Sequence, residues 1–257
     1  MDDTIYKKFT KDVGITASAD IALRLKGLIL MPILTKAFGT VDYGIWAQVS
    51  IIVGLLGAVA VMGMGSAATR FLPGKSREEI REGFSTYVLF NLATCCLLCL
   101  VLVFSAQLLA GSFFGGSENS RFVILAGICL ISTAGADSLR RYFRIFTQMK
   151  TFNALIIYAS LANAGAGTAV VLLGYTIFEF IILSVIIDLT VIVISAALII
   201  RQIGIAFPRF TFLKSYLTFG IPLIPAGISN WAIHQSDRLF ISYFVGMSAL
   251  GIYSVVY

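Results

Sequence analysis

Apolar runs of about twenty residues, each closed by charged or turn-forming positions, follow one another from residue 13 almost to the last residue of this chain. A helix needs about 20 apolar residues to cross the hydrocarbon of a bilayer. The runs predict seven spans, near 13–35, 43–69, 84–109, 121–139, 152–173, 176–200 and 216–244. An eighth is expected to start at Gly251 and is cut off at Tyr257. All are too long for the roughly 9–11-residue strands of a membrane barrel. The expected fold is therefore all-α: a polytopic helical membrane protein with a six-helix N-terminal lobe over 1–209 and the first span and turn of a second lobe over 210–257.

The segments between the runs carry the charge, and they carry it on one side. Alternate flanks hold Lys7, Lys8 and Lys11; Arg70, Lys75, Arg77 and Arg81; Arg140, Arg141, Arg144 and Lys150; and Arg201, Arg209 and Lys214. The opposite flanks hold only Lys36 and Arg121. Cytoplasmic loops collect Lys and Arg, so this asymmetry places the N-terminus in the cytoplasm of a cell inner membrane. The net charge of +6 and pI near 9.2 then follow from topology, and no nucleic-acid partner is expected.

Composition agrees with the pattern. Hydrophobic residues make up 58% of the 257 positions and charged residues 12%, with a mean hydropathy of +0.93. A soluble domain carries about twice that charged fraction. The stretch before Ala17–Ala19 has no apolar core, so no cleavable leader is expected. Cys95, Cys96, Cys99 and Cys129 all fall within apolar runs and read as small packing residues; the Cys96–Cys99 spacing lacks the second pair of a zinc site.

Two segments echo one another. "FGTVDYGIWA" (Phe38–Ala47) and "VGMSALGIYS" (Val245–Ser254) align Gly39 with Gly246, Gly44 with Gly251 and Ile45 with Ile252, at a constant offset of 207. Both turn an odd span into an even one. Six spans per unit make this a parallel repeat about an axis along the membrane normal, which predicts a native protein of at least twelve spans, reading on past Tyr257.

A few polar residues interrupt the spans, and each is costly in a bilayer, by at least ~2.5–3.5 kcal/mol for a charge at its centre. In the first span Asp20 and Arg24 share a face, either as a structural ion pair or as part of a cavity, while Lys26 points to the opposite side and Pro32 follows. Asp188 lies at the middle of the sixth span with no base on its own helix; it either pairs with another helix or binds a proton or sodium ion. In the seventh, Asn230, His234 and Arg238 recur every four residues, with Asp237 beside them, on a segment made pliable by Gly220, Pro222, Pro225 and Gly227. His234 reads either as a packing residue or as part of a cavity-lining stripe. Neighbouring residues on a helix lie about 100° apart, so Asp237 and Arg238 cannot neutralise each other neatly. Asp137 beside Arg140 and Arg141, and Glu179, read as interfacial charges. Catalytic motifs are absent: a single histidine excludes H-E-x-x-H, and there is no P-loop or G-x-S-x-G elbow. No enzyme activity, cofactor or metal is expected.

The stretches Tyr43–Pro73 and Phe219–Tyr257, with Tyr43-Gly44, Arg70-Phe71, Gly220-x-Pro222, Asp237-Arg238 and Gly246…Gly251-x-Tyr253, resemble the polysaccharide transporter family of O-antigen and oligosaccharide flippases. That family is part of the multidrug/oligosaccharidyl-lipid/polysaccharide exporter superfamily. The resemblance implies two six-helix lobes around a cationic cavity with alternating access. It also implies a substrate of O-antigen, capsule or exopolysaccharide repeat units on undecaprenyl pyrophosphate, with membrane lipids and other polysaccharide-assembly membrane proteins as partners. Arg24, Lys26, Asn230, His234 and Arg238 are then the substrate-binding candidates, and Asp188, Asp237 and Asp20 the candidates for ion coupling. Three cations within spans suit a diphosphate, whereas an exporter of cationic drugs is expected to place acids there. Export of a small cationic compound, coupled through Asp188 or Asp237, is the alternative; a membrane-embedded glycan ligase is a more distant one, lacking a large polar loop.

Overall fold

The structure, a computed structural model, describes the backbone of residues 3–256 except 206, 207 and 210, and the side chains of that range from Met31 onward together with Gly14 and Ile21. Every element among the described residues is helical: α1 (Asp3–Ala60), α2 (Met64–Phe71), α3 (Arg77–Phe104), α4 (Ala106–Phe113), α5 (Ser120–Ile145), α6 (Met149–Leu172), α7 (Ile177–Ile203), α8 (Thr211–Gly220), α9 (Ile224–Phe244) and α10 (Met247–Val256). The chain is a polytopic all-α membrane protein. Five helical stretches among the described residues are long and apolar enough to cross a bilayer: Met31–Ala60, Arg77–Phe104, Ser117–Ile145, Met149–Leu172 and Ile177–Ile203. α9 falls outside that set because Asn230, His234, Asp237 and Arg238 dilute its apolar run.

Local chemistry shifts several expected boundaries. The first two spans form one helical stretch, broken only at Gly39, whose φ of 75° and ψ of −178° leave the helical region. The second ends at Ala60 rather than 69, because Met62 (φ 45°) and Gly63 (φ 65°) turn the chain before α2 restarts. The third begins early, at Arg77, since the Ser76 hydroxyl accepts from the Glu79 N–H and the Glu79 carboxylate accepts from the Ser76 N–H in a capping box. The seventh splits into α8, a tight turn at Ile221–Leu223 and α9, where Pro222 and Pro225 supply no N–H. α10 starts at Met247, four residues before Gly251, behind Gly246 at φ 109°.

The basic flanks meet at one end of the bundle. Arg77 donates to the Gln202 carbonyl, Gln148 and Gln202 exchange amide hydrogen bonds at 2.8 and 3.0 Å, and Arg209 pairs with Glu82 at 3.2 Å. An aromatic cluster fills this end: Tyr142 meets Phe84 edge-on at 5.1 Å and Phe146 at 4.7 Å. At the other end Leu34, Tyr43, Phe114, Phe122 and Phe180 form a second core. Phe104, Leu108, Leu172 and Val193 stay exposed on the outside, as lipid-facing side chains do.

The two echoing segments pack directly on each other. A Cβ on Gly44 would stand 2.1 Å from the Met247 carbonyl oxygen, and one on Gly251 would stand 1.9 Å from that of Thr40. Each glycine touches the carbonyl four residues ahead of its counterpart, so the contact is symmetric under the 207 offset. The Thr40 and Ser248 hydroxyls bond across the same crossing at 2.9 Å. Gly39 and Gly246, also 207 apart, both adopt positive φ. A second backbone contact joins the far end: a Cβ on Gly220 would lie 2.3 Å from the Met62 oxygen, and one on Gly63 2.4 Å from the Gly220 oxygen. Small residues permit such approach in membranes, where lipid and Leu are equally apolar and packing decides association.

The obstructing atoms are backbone and yield little, so Gly44→Ala and Gly251→Ala are each expected to destabilise by ~1–3 kcal/mol or more. Gly165→Ala, with nothing within 4 Å of the added carbon, is expected to be neutral or stabilising by up to ~1 kcal/mol. Thermal unfolding in detergent checks both; equal midpoints for all three variants would overturn the crossing.

Candidate functional site

The crossing of α1 and α10 brings together side chains from three helices. Tyr43 precedes Gly44 on α1, and Tyr253 follows Gly251 on α10. From α9, Asp237 accepts from the Tyr253 hydroxyl at 2.5 Å through Oδ2 and from the Arg238 backbone N–H at 2.8 Å through Oδ1. Asp237 is thereby a tie between α9 and α10. Arg238 follows on α9, which packs against α1. Its Nε is buried without a hydrogen-bond partner. Among the described residues Arg238 makes no ion pair.

The rest of the α9 stripe is open: Asn230 and His234 are exposed, two turns and one turn before the half-buried Arg238. On the neighbouring face Trp231 rests against Gly54 of α1, its Nε1 only 3.3 Å from where a Cβ would stand. Asp20, Arg24 and Lys26 sit on the helical backbone of α1, but their side chains lie outside the described residues.

Asp188 is elsewhere. On α7 it faces α5, where Thr133 Oγ1 donates to its Oδ2 at 2.9 Å and Ser132 Oγ at 3.3 Å. No base pairs with it among the described residues. Neither Asp188 nor the Asp237 carboxylate is joined to the Arg238 guanidinium. Asp137 pairs with Arg140, and Glu179 caps α7 through Thr176.

A cavity of about 250 Å³ lies beside α1, between α3 and α5, and is lined by Gly54, Gly57, Tyr87, Thr133, Asp137 and Arg141 among others. Asn91 Nδ2 donates to Ser138 Oγ next to it. Gln48 of α1 is fully buried with both amide atoms unpartnered. The sequence reading missed Tyr43, Tyr253, Thr133 and Gln48 as site groups, because uncharged residues raise no signal against an apolar run. The motifs Tyr43-Gly44 and Gly251-x-Tyr253 were the available pointers to the tyrosines. Among the described residues no three His, Cys, Asp or Glu side chains gather to hold a metal, and the four cysteines are free.

Comparison with solved structures identifies this arrangement of helices. The MATE multidrug transporter DinF-BH, solved in complex with a ligand, superposes with a TM-score of 0.74 at 13% identity, over 97% of this chain and 59% of that one. A second solved chain, named protein A, gives 0.68 at 14% identity with the same coverage. The chain thus spans about three fifths of the length of the structures it matches, and the likeness is one of fold. No curated protein matches its sequence. The sequence matches the family described as polysaccharide biosynthesis protein over residues 9–257. With all but its first eight residues matched, the chain belongs to the polysaccharide biosynthesis protein family.

Proposed function

We propose that this protein flips an oligosaccharide linked to undecaprenyl pyrophosphate across the cytoplasmic membrane by alternating access, as a transporter rather than an enzyme. Family membership and the MATE-type fold support a membrane exporter. The observation that carries the finer reading is Arg238: a cation on a membrane helix, its Nε buried and unpartnered, while the acids best placed to neutralise it are engaged elsewhere. A charge held so is poised for an anionic ligand, and a guanidinium presents a planar fork of donors to a diphosphate. Arg24 and Lys26 would add to the same field. The lobes 1–209 and 210–257 would then move against each other, with the Gly44–Gly251 and Gly63–Gly220 contacts as their closest approaches. Multidrug transport is the activity of DinF-BH; the alternative of cation export with Asp188 as coupling group gains support in this chain only from that acid's lack of a basic partner among the described residues.

Loss of one charge-assisted hydrogen bond costs about 1.5–3 kcal/mol, or tenfold and more in affinity. Arg238→Ala is therefore expected to insert at normal levels, fail to complement a flippase-null strain, and stay inactive when combined with Asp188→Asn or Asp237→Asn. Arg238→Lys should recover part of the activity. Full complementation by Arg238→Ala would end the proposal.

The one-sided basic charge supports an N-terminus in the cytoplasm. In a background without the four cysteines, single cysteines at Pro73 and Ile205 should resist an impermeant thiol reagent applied to intact cells, and one at Ser117 should react. Strong labelling at Pro73 from outside would reverse the orientation.

A further inference from the structure

At the basic end of the bundle α5 and α6 enclose a cavity of about 320 Å³ lined by Asp137, Arg140, Arg141, Arg144, Phe152 and Ile156. Its volume falls within the roughly 300–1,000 Å³ of small-ligand sites. Asp137 is engaged by Arg140, which leaves Arg141 and Arg144 without an ion-pair partner among the described residues. One-sided loop charge and the carbonyl end of α5 account for Arg144, which is exposed in the last turn of that helix. They do not account for Arg141. Its Nε is buried with no hydrogen-bond partner. The guanidinium is pressed onto Gly65 of α2: a Cβ there would stand 2.6 Å from Nε and 2.7 Å from Cζ, so the absent side chain makes the room. An arginine serving topology alone would extend into water and satisfy its donors there. This one is held in a recess, beside two further guanidinia and an apolar wall of Phe152 and Ile156.

We infer that this recess is a binding site for a phosphate or diphosphate group, separate from Arg238 on α9. Tetrahedral oxyanions accept several donors at once, and guanidinia meet them bidentately. The apolar wall suits the first carbons of an esterified lipid, so the group arrives either on an anionic lipid head group or as a free phosphate.

The test uses the full-length protein in phosphatidylcholine nanodiscs, with two probes. One is a minority of phosphatidylglycerol in the disc, counted on the protein by native mass spectrometry. The other is inorganic pyrophosphate, titrated calorimetrically into discs without phosphatidylglycerol. Arg141→Gln and Arg144→Gln should each weaken binding by about tenfold, whereas Arg201→Gln, an exposed arginine in the last turn of α7, should leave it unchanged. Retention of phosphatidylglycerol alone identifies a lipid head group; pyrophosphate binding identifies the free or diphosphate form. Gly65→Ala displaces the Arg141 guanidinium without removing its charge and should also weaken binding; with Arg144→Gln it decides the matter if Arg141→Gln does not fold. Binding of neither probe by the unsubstituted protein, or equal weakening by Arg201→Gln, would overturn the site. Either result leaves the Arg238 reading standing, since Arg238 is on another helix and is tested by complementation.

Discussion

Everything around Arg238 depends on two helix backbones being able to touch. Gly44 and Gly251 have no Cβ, and each admits a carbonyl oxygen from the other helix to a distance that any side chain would forbid. That approach docks α10, whose Tyr253 hydroxyl donates to Asp237 of α9, the residue before Arg238. In water a core of this kind is driven together by apolar burial; between helices in lipid that drive is missing, and close fit with local hydrogen bonds takes its place. The Thr40–Ser248 bond supplies such a contact at the crossing itself. The site is thus a consequence of helix packing, not of a loop placed over it.

The asymmetry of polar partners also explains why one stretch of α9 carries His, Asp and Arg together. Asp237 commits one oxygen to Tyr253 and the other to the N–H of its successor, so its carboxylate fixes helix geometry. Arg238 lies about 100° further round the helix. Adjacent opposite charges in sequence therefore separate into a structural tie and a cation with no ion pair among the described residues. His234 and Asn230 continue the stripe on the open face.

The class and most of the spans were legible because each rests on periodic or composition-wide signals. The echo even named the crossing, since Gly39, Gly44, Gly246 and Gly251 are the residues the geometry uses. Breaks within spans were less legible: Met62 adopts a positive φ without any local mark, and the end of α1 at Ala60 follows from that turn. The surroundings of Asp188 were not legible at all. Its partners, Ser132 and Thr133, lie more than fifty residues away and are uncharged, so a search for a base along α7 finds nothing and cannot see hydroxyls on α5.

Hydroxyl donors and a base are different solutions to a buried carboxylate. A base paired with it would neutralise Asp188 and fix both charges, whereas here two hydroxyls donate to one carboxylate oxygen, Oδ2, and no base pairs with it among the described residues. Arg238 likewise carries no carboxylate on its guanidinium among the described residues, and its Nε is buried without a partner. Had these two residues paired, the bundle would gain a buried ion pair of little net worth and lose both charges for ligand chemistry. Among the described residues the two instead sit on separate helices, neither in an ion pair. On the proposed flippase reading, that separation leaves the guanidinium open to the anionic head group.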